Sequence, residues 1–142
     1  MADPYNSYTP YATQTVNTYA NWGQRALGYL IDVAPVIVVV LILSRISVGL
    51  LVVGWLLSLG WSIYNRWYLG GTTGQSIGRK VVNIRLVSER TGQPIGMLMA
   101  FVRDICHIID SLICYVGWLF PLWDAKRQTI ADKIVSTVVI PA

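Results

Sequence analysis

Two stretches of the chain place an aspartate seven positions after an arginine: Arg25 to Asp32 in RALGYLID, and Arg103 to Asp110 in RDICHIID. The residues between are mostly apolar, with His107 inside the second stretch. On a helix, seven residues is close to two turns, so each pair shares a face. Helical side chains lean toward the N-terminus, however, so in the first stretch Asp32 leans toward Arg25 while Arg25 leans away, and a direct bond is strained. Another segment or water must complete these charges. If both segments begin on one side of a membrane, both arginines sit at that interface and both aspartates about 10 Å deeper. Cross-pairing of Arg25 with Asp110 and of Arg103 with Asp32 then becomes possible. The residue types allow two chemistries. One is a cation or proton path through Asp32 and Asp110, with His107, whose reference pKa is about 6.5, as a relay. The other, which we favour, is a structural ion-pair cluster that fixes how two segments pack, because charges buried in a helical bundle are commonly paired.

No catalytic set accompanies these groups. His107 has no serine or cysteine nucleophile at hydrogen-bonding spacing, and Ser111, four residues on, suits a backbone cap. Cys106 and Cys114 lie eight apart in one helical run, about 12 Å between Cα atoms, too far for a disulfide. The reading is a non-enzyme with no cofactor and no metal.

The elements that must position these residues are apolar. Of 142 residues, 54% are hydrophobic and 13% charged, a composition of integral membrane proteins rather than soluble domains. Trp22 to Leu43 forms a run of about 33 Å as a helix, enough to cross a hydrocarbon core of about 30 Å. Val48 to Tyr68 is a second span after a turn at residues 44–47, with a mostly small stripe of Gly49, Gly54, Ser58 and Ser62. A third apolar segment, Met97 to Trp123, is interrupted by Gly117 and Pro121, so it either crosses fully or enters and returns. The expected fold is an all-α integral membrane protein: two full transmembrane helices, a third membrane-embedded segment, and a small cytoplasmic cap of strand and helix. The net charge of +4 lies mainly outside the apolar runs, which suits anionic lipid head groups and not nucleic acid.

The connection from Gly70 to Gly96 is glycine-rich but lacks the register of a phosphate loop. It reads as a turn of helix followed by a strand through Val82, Ile84 and Leu86. Residues 130–134 read as a helical turn, and 136–140 as a strand. Isolated strands are marginal in water, so these two are expected to pair. Asp132 should then meet the basic cluster of Arg79, Lys80 and Arg85. Arg66, Arg79, Lys80, Arg85 and Arg90 flank or occupy this connection, against Arg45 alone in the first turn, which places the N-terminus and the connection in the cytoplasm.

Residues 1–20 form a polar tail in which Tyr5, Tyr8 and Tyr11 recur every third residue beside Pro4 and Pro10, and 21–142 form the membrane domain. Three residues per turn of polyproline II would align the rings on one edge as a docking surface for a partner.

Arg25, Asp32 within LIDV, GGTTGQSIGRKVVNIRLV and WDAKRQTIADKIVSTVVI together resemble the RDD family of small bacterial membrane proteins, over about residues 21 to 140. The family is named for one arginine and two aspartates. Arg25 and Asp32 match the first two positions; Asp132 is the choice for the third, ahead of Asp124. Thr73 and Gln75 replace the proline and basic residue usual in the family's glycine block. The tail resembles that of actinobacterial proline-rich-antigen-like members. The resemblance implies a multi-pass protein of the bacterial cytoplasmic (inner) membrane. It also implies either of two roles: a non-catalytic accessory subunit of a larger complex such as the respiratory cytochrome bcc–oxidase supercomplex, or a cation/proton antiporter using Asp32 and Asp110.

Overall fold

The computed structural model describes residues 18–142, so Tyr5, Tyr8 and Tyr11 lie outside the described residues. Helix α1 (Trp22–Ile46) starts at Asn21, whose side chain accepts from the Gln24 backbone N–H while Gln24 accepts from that of Asn21. This reciprocal cap satisfies two donors that a helix start otherwise leaves open. Ser47 both ends α1 and caps α2 (Val48–Thr73), accepting from the Leu50 N–H. The turn is therefore tighter than the four residues expected. Both helices are long and apolar enough to cross a membrane, at 25 and 26 residues. Gly54 lies at their contact: a Cβ there would be 3.5 Å from Val40 Cα, an ordinary contact distance, whereas one at Gly49 would meet, among the described residues, nothing closer than Ser47. Of the two glycines of the small stripe, Gly54 thus faces α1 and Gly49 does not.

From Ser62 to Leu69, α2 widens into a π-helix. The extra residue per turn brings Asn65 inward, where it is fully buried, in keeping with the frequent use of such turns at functional sites.

The remaining elements are α3 (Ile77–Val81), β1 (Ile84–Ser88), α4 (Met97–Leu112), α5 (Val116–Leu122), α6 (Ile130–Ile134) and β2 (Thr137–Pro141). The third apolar segment is not one straight helix, for α4 and α5 meet at 108°. Cys114 and Tyr115, at φ of 50° and 62°, make the corner.

The two strands pair antiparallel, with Leu86 opposite Val139 and Val87 opposite Val138. The fold is thus mostly helical with one small sheet, and the expected pairing is present. Residues directly opposite share a side of the sheet. Ile84 and Leu86 pack with Val139 and Ala20, while Val138 and Ile140 pack with Val87. The ribbon is consequently buried on both sides, and Ala20 N–H donates to the Val139 carbonyl at 2.9 Å to tie the start of α1 to it.

Candidate functional site

Asp132 sits at the third position of α6, behind Thr129. The Thr129 hydroxyl accepts from the Asp132 N–H at 3.1 Å, and Asp132 Oδ2 accepts from the Thr129 N–H at 3.1 Å, which locks the carboxylate in place. Oδ1 accepts from Arg103 Nε at 2.7 Å and from the Thr137 hydroxyl at 3.1 Å. Oδ2 also pairs with Arg25, which donates in addition to the Arg127 carbonyl. One fully buried carboxylate thus joins α1, α4, α6 and β2. Its burial alone would raise the pKa, but Arg103 and then Arg25 overcome this and hold the carboxyl well below the usual range.

The expected contacts of Asp132 with Arg79, Lys80 and Arg85 are not the ones made. The reason is packing: α6 lies against α4, while Lys80 and Arg85 are exposed and Arg79, on the cavity wall, makes no bond to Asp132.

The cross-pairs that the spacing allows are absent too. Asp32 accepts from Asn65 Nδ2 at 2.7 Å, the Gly78 N–H at 2.7 Å and the Ser76 hydroxyl at 2.5 Å. Asn65 is itself oriented, its Oδ1 accepting from the Ile77 N–H at 2.8 Å. Trp61 Nε1 donates to the Asp32 carbonyl at 2.9 Å. Polar but uncharged groups therefore hold the Asp32 carboxylate, and Arg103 bonds Asp132 instead. Gly78 makes this possible, because a Cβ there would fall 1.9 Å from the Gly28 carbonyl oxygen.

Asp110 pairs within its own helix, with His107 Nδ1 at 2.6 Å from its Oδ2. The His107 ring stacks on Trp118 at a centroid distance of 4.4 Å, held there by the corner between α4 and α5. Asp104 accepts from Arg66 at 2.8 Å and from Trp67 Nε1 at 2.9 Å, joining α4 to the π-helical part of α2.

Arg25, Arg66, Arg79 and Arg103, with Asp32 and His107, line one cavity of about 320 Å³. Of the residues singled out in the sequence, the structure brings Arg25, Asp32, Arg79, Arg103 and His107 to this wall; Asp110 and Asp132 stand behind it as partners of His107 and of Arg103 with Arg25. Sequence reasoning missed Asn65, Ser76 and Gly78 as ligands of Asp32. Thr129 did carry a signal, since Thr-x-x-Asp ahead of an apolar turn is a capping pattern. Among the described residues, no three histidine, cysteine or acidic side chains are placed to hold a metal ion, and Cys106 and Cys114 are free.

A family model described as the RDD family matches residues 19–136. The chain is 42% identical to the proline-rich antigen homolog of Mycobacterium tuberculosis, in an alignment covering 97% of this chain and 65% of that protein. It is 51% identical to the proline-rich antigen of Mycobacterium leprae over 87 residues, which cover 61% of this chain and 35% of that protein. The chain therefore spans less than two thirds of the length of these relatives. No solved structure matches it.

Proposed function

Because the chain belongs to the RDD family, we propose that it is a multi-pass protein of the bacterial inner membrane that serves as a non-catalytic accessory subunit of a larger membrane complex. The observation that carries this reading is how the buried charges are used. Asp132 bonds Arg25 and Arg103 at once, and Asp32 bonds three donors on α2, on the connection and on α3. Each carboxylate joins elements that are distant in sequence, which suits a scaffold better than a carrier that must release its ion. The outer faces of α1 and α2 are left apolar, with Leu41, Val52, Leu56 and others more than half exposed, for lipid or for a partner's helices. The actinobacterial resemblance makes the respiratory cytochrome bcc–oxidase supercomplex the first partner to test, and the tail with Tyr5, Tyr8 and Tyr11 the first docking segment.

The same reading assigns the topology. The antiparallel pairing of β1 with β2 requires residues 84–88 and 137–141 on one side, and the basic connection assigns that side to the cytoplasm, so the segment from Met97 to Leu122 enters and returns. A periplasm-active reporter fused after Ala142 should be inactive, and one inserted at Ser47 active. Activity at Ala142 would refute this topology.

Purification in mild detergent with cross-linking should recover partner subunits in stoichiometric amounts. A monodisperse particle of this chain alone would overturn the accessory reading. Ion exchange is the second reading, favoured by Asp110 Oδ1, which is buried without a hydrogen-bond partner among the described residues. For an accessory subunit, vesicles holding the purified chain and a pH dye should give no response to sodium or potassium. A response that Asp32→Asn abolishes would install exchange in its place.

A further inference from the structure

The cavity between the head of α1, the π-helical part of α2, α3 and α4 is walled by four arginines and one carboxylate, Asp32. Three of the arginines have carboxylate partners: Arg25 and Arg103 share Asp132, and Arg66 has Asp104. Among the described residues, Arg79 does not. Its Nη1 is buried and makes no hydrogen bond to any of them. Asp32 attracts it through space, but the donors that bond this carboxylate are those of Asn65, Ser76 and Gly78.

A guanidinium with a buried, idle donor is costly unless an anion meets it. We propose that this cavity binds a phosphate-bearing anion, with Arg79 as its direct ligand. The volume, about 320 Å³, falls in the range of small-ligand clefts, roughly 300 to 1,000 Å³. Guanidinium groups match phosphate oxygens through paired N–H donors, a geometry that a lysine could not supply. Burial and then repulsion by Arg103 push the Arg79 pKa down to about 9, which still leaves it charged at neutral pH and makes a compensating negative charge favourable.

The same wall carries Trp22, Tyr29 and Leu30 of α1, which are exposed on their outer sides. An anionic lipid could lay its acyl chains along α1 while its head group reaches Arg79. Free phosphate would use the arginines without these apolar side chains. The chemistry at Arg79 is common to both.

The test uses the full chain in vesicles of phosphatidylcholine alone. Inorganic phosphate is added in one arm and phosphatidylglycerol is included in the other, and both thermal unfolding and the mass of bound phosphate or phosphatidylglycerol by native mass spectrometry are read. The expected result is stabilisation in at least one arm, weakened about tenfold or more in apparent affinity by Arg79→Gln. The exposed control Arg85→Gln should leave it unchanged. Stabilisation by the lipid alone assigns a head-group site; stabilisation by both assigns a site for free phosphate. In phosphatidylcholine alone, Arg79→Gln should be at least as stable as the wild type, because it removes an uncompensated buried charge. Arg79→Lys, which keeps the charge but not the fork, should bind weakly even where the glutamine variant folds poorly. No stabilisation in either arm, or equal responses from wild type and both Arg79 variants, would overturn the proposal.

Discussion

Replacing Asp132 with alanine should lower stability by about 3 to 5 kcal/mol, because it strands Arg103 and most of Arg25 in the interior without a counter-charge. The carboxylate is fully buried and the Arg103 side chain is 6% exposed, so water cannot take over the lost bonds. The cap of α6 and the hydroxyl of Thr137 lose a partner in the same step. Chemical unfolding in detergent micelles measures the loss, and a value under about 1 kcal/mol would mean that the cluster relaxes freely. The pH profile gives a second reading. A carboxyl held below its unfolded value contributes stability that is fully present above that value, about 3.9, and disappears only as pH falls through the folded value. Wild type and Asp132→Ala should therefore differ by a constant amount at neutral pH and converge only below about pH 4.

Gly78→Ala should be nearly as damaging, for a steric reason. Its Cβ would lie 1.9 Å from the Gly28 carbonyl oxygen, 2.8 Å from that carbonyl carbon and 2.9 Å from Asp32 Cγ. Two of these atoms belong to the backbone of α1, so no side-chain rotation clears the space and α3 must move away. Overpacking costs roughly 1 to 3 kcal/mol, and parting the Gly78 N–H from the Asp32 carboxylate adds roughly 1.5 to 3 kcal/mol. Gly60→Ala is the control: nothing lies within 4 Å of a Cβ there, and the helix should gain slightly. Equal unfolding midpoints for the two variants would refute the close approach of α3 to α1.

Periodicity and run length carried the long helices, since an apolar stretch such as Val36 to Leu43 has few other uses. The strands were legible for a related reason. Ile84 and Leu86 alternate with polar neighbours, and so short an element needs a partner, which Val138 to Ile140 could supply. The partners of Asp132 were not legible, because a choice between Arg103 and Arg79 depends on which helix α6 rests against. The matching spacing of Arg25–Asp32 and Arg103–Asp110 suggested a symmetric exchange of partners. The chain instead satisfies Asp32 with an amide, a hydroxyl and a backbone N–H, groups that carry no charge and so leave no mark in a charge pattern. The corner at Cys114 and Tyr115 was hidden as well, since neither residue favours positive φ.

The bond between Arg25 and Asp132 spans 107 positions of sequence, and that interval is also a delay. At synthesis rates of roughly 5 to 20 residues per second, Arg25 emerges some 5 to 20 s before the carboxylate that will hold it. In the proposed multi-pass topology, α1 and α2 enter the bilayer during that time with the arginine and the donors for Asp32 still unassembled. Arg25 sits in the first turn of α1, where a long basic side chain can reach the head-group region and wait in water. Placing the cation at the interface and delivering its anion last lets the helices insert before the cap closes over them, so the order of translation becomes the order of assembly.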